Sequence, residues 1–223
     1  MEADVIDLYT GEDLISRPKL ADEIYRFRYG IAVDEMGWDI PGLTNARDID
    51  AFDLPSTIHI VDRGRRGRIV GVSRLNPMSG PTLTRDVFPD YCAPGRMPTT
   101  AASMEHSRFL AQREGHSTTQ YMRILGRLLL AVHEYAQLNN VETITSLTYM
   151  THYSLAVRLF GARPLGMPKV YEPDGNTYLA FICRVSDSGL ENTRRYVGIR
   201  KPQLPDLRNE VERDREARRV VRA

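Results

Sequence analysis

The stretch Glu105-His-Ser-Arg108-Phe109 joins residue types that can do chemistry: a carboxylate, a guanidinium three positions on, and an aromatic ring beside it. Upstream, Arg28, Trp38, the Asp50-Ala-Phe-Asp53 pair and Arg74 add charges of both signs and the only tryptophan of the chain. Carboxylates receive cations, and the planar fork of arginine grips a carboxylate through two parallel hydrogen bonds. A site drawn from these groups suits a zwitterionic ligand that carries a further positive charge, with the tryptophan face against that charge. Glu105 is the side chain best suited to take a proton from such a ligand. The plainer alternative is that Glu105 pairs with Arg108 or Arg28.

Separate elements must deliver these residues. Pro18 opens a helical pattern through Leu20, Ile24, Phe27, Ile31 and Val33, and Arg28 rides on it. Residues 36–51 are rich in Gly, Pro, Asn and Asp and lack periodicity, which predicts a long functional loop bearing Trp38 and leading to the Asp50/Asp53 pair. Two strands, 57–61 and 68–75, flank a basic turn with Arg63, Arg65, Arg66 and Arg68. A short helix is expected over 84–91 and a strand over 103–111. Ser117 caps a long amphipathic helix, 118–138, with Met122, Leu125, Leu128, Leu129 and Val132 on its buried side. A strand at 141–147, a helix at 153–160 ending on Gly161, and strands at 163–170 and 178–185 complete the pattern. This order predicts a single-domain three-layer α-β-α sandwich with a central mixed, mainly antiparallel sheet over residues 1–205, followed by a charged C-terminal tail, 206–223.

Bulk properties narrow the function. A chain of 223 residues buries a core without disulfides or metals. Its net charge of +1 argues against a dedicated nucleic-acid binder. Cys92 and Cys183 lie far apart, and they and the five histidines lack zinc spacing, so no metal site is expected. No apolar run is long enough to span a membrane, and residues 1–10 hold three acidic side chains rather than an export signal. The expectation is a cytoplasmic protein with reduced thiols and small-molecule substrates.

Arg28, Met36-Gly37-Trp38-Asp39-Ile40-Pro41, Asp50-x-Phe52-Asp53, Gly71-Val-Ser-Arg74, Asp86-Val-Phe88-Pro89 and Glu105-His-Ser-Arg108-Phe109 follow one another in that order. The ordered set resembles the acyl-homoserine lactone synthases, the LuxI-type autoinducer synthases of quorum sensing, over roughly residues 25–185. Eight of the nine signature positions of that family match; Ala32 stands where the family has an aromatic residue. The resemblance implies an acetyltransferase-like (GNAT-like) fold and an acyltransferase. Such an enzyme moves an acyl group from acyl carrier protein or acyl-coenzyme A to the amine of S-adenosylmethionine, then closes the lactone and releases methylthioadenosine. No tightly bound cofactor is implied.

On that resemblance Glu105, Arg74 and Arg108 are the expected catalytic residues. Arg28, Trp38, Asp50, Asp53 and Phe109 are expected to bind S-adenosylmethionine, although the two aspartates could instead brace their loop. Met104, Met122, Leu125, Leu147, Thr148, Tyr149 and Leu155 are the acyl-pocket candidates, with Thr145 the alternative to Thr148 as a hydroxyl for oxidised chains. Phe88 is assigned to packing. Ala32 implies either a differently held donor or a bulkier acyl group in the freed volume. The 112–118 junction has only Gly115 and leaves carrier protein and coenzyme A both open; Arg113, Arg123 and Arg127 would face an acidic carrier. The competing readings are another acyl-coenzyme A-dependent N-acyltransferase on the same fold and a non-catalytic ligand-binding regulator.

Overall fold

The computed structural model describes residues 5–204. Strand β1 (Val5–Thr10) leads into helix α1 (Gly11–Ser16), whose start is fixed by a capping box between Thr10 and Asp13. Helix α2 (Pro18–Tyr29) opens on Pro18, at a position where the missing N–H leaves no bond unmade. It continues into a π-helical segment, Gly30–Glu35. That segment ends as the Trp38 N–H bonds the Ala32 carbonyl at 2.9 Å. No helix or strand follows until β2 (Ile58–Arg63), so the expected loop is present.

β2 and β3 (Ile69–Pro77) form the expected antiparallel hairpin. Helix α3 (Leu83–Asp86) and a separate 3-10 turn, Pro89–Tyr91, replace the single short helix expected over 84–91. Pro89 lacks the N–H that a continuing helix would use. β4 (Ser103–Ala111) and helix α4 (Thr118–Leu138) stand as read, with Ser117 and Gln120 making a capping box. β5 (Thr143–Tyr149) runs into helix α5 (Met150–Phe160), which stops at the left-handed Gly161. β6 (Arg163–Pro164), β7 (Lys169–Tyr171) and β8 (Asn176–Arg184) precede helix α6 (Asp187–Val197).

The strand expected over 163–170 is thus two short pieces. Leu165 breaks it by turning its carbonyl to the Ala93 N–H at 2.8 Å. The neighbouring Gly166 makes this possible, since a Cβ there would lie 2.4 Å from the Tyr91 carbonyl oxygen. β1, α1 and α6 add to the elements read from the sequence. The tail, 206–223, lies outside the described residues.

The sheet order is β1-β2-β3-β4-β5-β8-β6, with β7 also on β8, and only β4 and β5 are parallel. One face packs on α2 through Ile24, Ile31, Val61, Val72 and Leu110. The other packs on α4 and α5 through Ile60, Leu75, Leu128, Val132, Ala156 and Phe181, with α6 resting on both helices. Two helical layers around a mixed sheet are the predicted sandwich. Met122 corrects the predicted helix face: it is 41% exposed, whereas Ile124, Leu128, Ala131 and Val132 are buried. It stands roughly 120° around the helix from Leu128, too far to share that stripe. Among the described residues no helix is long and apolar enough to cross a membrane.

Candidate active site

Strict alternation along β4 would send Glu105 and Arg108, three residues apart, to opposite faces of the sheet. A bulge prevents this. Between the pairs Val72–Leu110 and Arg74–Ser107 the register slips, and Arg108 takes a left-handed φ of 49°. The extra residue places Glu105, Ser107 and Arg108 together on the α2 face, while His106 and Phe109 turn to the α4 face. Holding a non-glycine residue at positive φ costs about 1–2 kcal/mol, and packing around the strand must sustain it.

Three arginines and three aspartates then close into a ring. Arg28 from α2 donates to Asp53 at 2.6 and 3.2 Å and to Asp48 at 3.1 Å. Arg74 from β3 donates to Asp50 at 2.6 and 3.0 Å and to Asp53 at 3.1 Å. Arg108 donates to Asp48 at 2.6 and 3.0 Å and to Asp50 at 2.9 Å. Every guanidinium bridges two carboxylates and every carboxylate bridges two guanidiniums, so the buried charge sums to zero. The fourth donor of Arg74, its Nε, is used by Ser107 Oγ at 3.0 Å.

Burial alone works against the Arg28 charge, but Asp53 and Asp48 outweigh it and push its pKa up. The same balance holds the Asp53 carboxyl below the usual range: burial raises it, and Arg28 and Arg74 lower it more. Asp48 is depressed likewise by Arg28 and Arg108 against its burial. The Asp50 side chain is 14% exposed, against 2% or less for the other two, and is the ring's opening to the outside. Asp48 was missed in the sequence because it lies outside the Asp50/Asp53 pair; only its place two residues upstream on the same loop hinted at it.

Glu105 is 1% exposed and pairs with neither Arg108 nor Arg28, which corrects the plainer expectation. Its two carboxylate oxygens accept the backbone N–H groups of Leu83 at 2.8 Å and Thr84 at 2.6 Å. Thr145 is its partner on β5 and is wholly buried, with its hydroxyl 3.3 Å from Met78 Sδ. Trp38 and Tyr149 share this face of the sheet: the indole N–H donates to the Tyr149 hydroxyl at 2.9 Å. The early loop, the ring and Glu105 therefore converge on one side of the sheet.

Not every expected residue joins them. Phe109 packs with the α4-side cluster and meets His106 edge-on at 5.3 Å between ring centres, away from the ring of charges. Of the acyl candidates, Met104 and Leu125 belong to the α4-side cluster, and Thr148 points to that side by alternation from Tyr149. Leu147 packs with Tyr91 and Leu165 on the opposite side. Leu155 is half-buried on α5, and Met122 is exposed. Arg127 is not a docking residue: it is buried and donates to Asp62 at 2.9 and 3.0 Å. Phe88 packs edge-on against Tyr91 and Tyr171, as its assignment to packing requires.

Residues 12–163 match the family model described as autoinducer synthase. The chain belongs to this family. It is accordingly an acyltransferase, and the sandwich described above is the family's acetyltransferase-like fold. An acyl-homoserine-lactone synthase from Ralstonia nicotianae is 28% identical over 155 residues, covering 62% of this chain and 76% of that protein. An isovaleryl-homoserine lactone synthase from Bradyrhizobium diazoefficiens is 26% identical over 154 residues, covering 68% and 67%. Among solved structures, that of the CoA-dependent acyl-homoserine lactone synthase MesI aligns with a TM-score of 0.76 at 30% identity, over 90% of this chain and 99% of that one.

Proposed function

We propose that this autoinducer synthase acylates the amine of S-adenosylmethionine from an acyl thioester and then closes the homoserine lactone. The observation that carries the reading is the neutral ring of three arginines and three aspartates set on the same face as Glu105. Because each guanidinium is already bonded to carboxylates, the arginines act chiefly by fixing Asp48, Asp50 and Asp53. Asp50, the most open of the three, meets the positive charges of the donor. The half-buried Trp38 ring lies against the sulfonium or adenine.

The amine attacks the thioester carbonyl, the thiolate leaves, and the amine proton must go to a base. Glu105 retains lone pairs beyond its two N–H bonds and takes that proton directly or through one water. The substrate carboxylate then attacks its own γ-carbon, and methylthioadenosine departs with the electron pair of the broken C–S bond. Neither step changes oxidation state, so the substrates supply everything the reaction consumes.

β4 and β5 pair only from Ser103 to Glu105 and from Thr143 to Thr145. Beyond that point they part, and Ser146 Oγ takes up the freed His106 carbonyl at 2.9 Å. The thioester enters at this divergence, its carbonyl beside Glu105 and its chain toward the apolar cluster under α4. Acyl-coenzyme A or acyl carrier protein delivers the chain, and on this reading Arg113 and Arg123 face the carrier. The substrates are metabolites of the cell interior, and we assign the reaction to the cytoplasm on that ground.

Purified protein given S-adenosylmethionine and matched coenzyme A or carrier-protein thioesters should yield equal amounts of acyl-homoserine lactone and methylthioadenosine. An ordinary N-acyltransferase would release no methylthioadenosine. Glu105→Gln should lower kcat by about 10²–10⁴-fold while circular dichroism stays unchanged. Full turnover in that variant would remove Glu105 from the reaction.

A further inference from the structure

The cluster beneath α4 contains polar atoms that an alkyl chain would not need. His106, on β4 where the strands diverge, meets Ser73 of β3 through Nε2 at 2.5 Å from Oγ. His133 of α4 stacks on Phe160 of α5, with ring centres 4.1 Å apart and planes 13° from parallel. Both imidazoles are buried, and they lie close enough for His133 to affect the basicity of His106. Burial, joined for His106 by its neighbour's repulsion, lowers their pKa values to about 3 and about 4, so both rings are neutral.

The neutral His133 has one proton to place. Its Nδ1 lies 3.1 Å from the Leu129 carbonyl oxygen, which can only accept, so Nδ1 carries the hydrogen. Nε2 is then a bare acceptor, and it is buried with no partner in the protein. An imidazole acceptor walled in by Phe160 and its apolar neighbours is costly unless something donates to it. A straight hydrocarbon chain cannot.

Resting on the proposed reaction and on the acyl path toward α4, we infer that His133 selects acyl groups carrying a hydroxyl, whose O–H donates to Nε2. His106, held by Ser73 at the strand divergence, is the second polar wall of the same path. The ring stacking fixes the plane of the His133 imidazole and hence the direction in which Nε2 accepts. Acyl groups of two sources offer that donor, a hydroxylated aliphatic chain and a phenol.

Purified protein should be given S-adenosylmethionine with four coenzyme A thioesters: a straight-chain acyl group, its hydroxylated counterpart, an aryl acyl group and its phenolic counterpart. The hydroxyl should raise kcat/KM on the order of tenfold or more within one pair, and the responding pair identifies the source. His133→Leu should erase that ratio. Equal kcat/KM within both pairs of the unmodified protein would overturn the inference, as would a hydroxyl preference that survives in the variant. The unmodified protein's ratio decides the matter if the variant does not fold. If no coenzyme A thioester is turned over, the same four acyl groups are supplied on acyl carrier protein; failure there as well removes the proposed reaction, and the comparison is then read from thermal-shift binding of the four thioesters.

Discussion

The two faces of the central sheet solve opposite problems with residues from the same strands. On the α2 face, Arg28, Arg74 and Arg108 meet Asp48, Asp50 and Asp53, and full charges are buried by balancing one another. On the α4 face, apart from the Arg127–Asp62 pair, Ser73, His106 and His133 sit among apolar side chains as neutral groups, one of them with an unused acceptor. Charges in a ring have almost no freedom to reorient, so that face fixes geometry. The α4 face holds these polar groups uncharged, and the stacking of His133 on Phe160 fixes the direction of its unused acceptor. β4 serves both, because its bulge sorts Glu105, Ser107 and Arg108 to one side and His106 and Phe109 to the other.

Breaking the ring should therefore cost far more than altering the opposite face. Arg28→Ala leaves Asp48 and Asp53 each with one guanidinium instead of two. Removing one partner of a buried pair typically costs about 3–5 kcal/mol, and urea unfolding should register that loss. Arg28→Lys should recover only part of it, since an ammonium lacks the fork that spans both carboxylates. His106→Phe, in the apolar wall, should cost well under half as much. Equal losses in the two variants would show that the ring is not a unit.

Acid separates the two faces by pH window. For the imidazoles, burial depresses the folded pKa of His106 to about 3 and of His133 to about 4, and His59, on the ring's side, to about 3. An unfolded histidine binds its proton near pH 6.5, so the unfolded state holds more protons from about 6.5 down to about 4 for His133 and about 3 for His106 and His59. Stability must fall as pH drops through that window, by up to about 1.4 kcal/mol per pH unit for each imidazole. Asp48 and Asp53 are depressed, so their stabilisation is full above the ordinary carboxylate value and is lost only below about pH 3.9. Urea midpoints across pH should show two descending steps. His133→Leu should shrink the upper step alone; an unchanged upper step would mean that His133 is not buried as a neutral ring.

Much of this was legible in the sequence. The strands at β2, β3 and β4 and the starts of α2 and α4 follow from local patterns: alternation, Pro18 and Ser117. The convergence of Arg28, Asp50, Asp53, Arg74, Glu105 and Arg108 came from their order along the chain. The ring itself was not readable, because it depends on a bulge at Arg108 and on Asp48, and neither leaves a periodic trace. Glu105 likewise bonds two backbone N–H groups from a segment about twenty residues away, and backbone donors carry no sequence label. Leu147 and Thr148 show the reverse limit: adjacent candidates for one pocket must face opposite sides of a strand.

The smallest test concerns the joint between the loop and the sheet. Trp38 is the only tryptophan, and its N–H is held by the hydroxyl of Tyr149 at the end of β5. The Tyr149 ring packs against Tyr178, whose hydroxyl donates to Asp174 at 2.6 Å, so the indole is tied to the β7–β8 turn. Tyr149→Phe keeps the ring contact with Tyr178, 4.6 Å between centres, and deletes only the acceptor. A single neutral hydrogen bond contributes about 1 kcal/mol, which corresponds to roughly a fivefold rise in KM for S-adenosylmethionine, with kcat little changed, if the bond positions Trp38 for the donor. Because all tryptophan emission comes from one residue, acrylamide quenching should increase in parallel. Greater quenching with an unchanged KM would make Trp38 a cover for the loop, and an unchanged emission would show that the indole is placed by the Ala32 carbonyl and its neighbours alone.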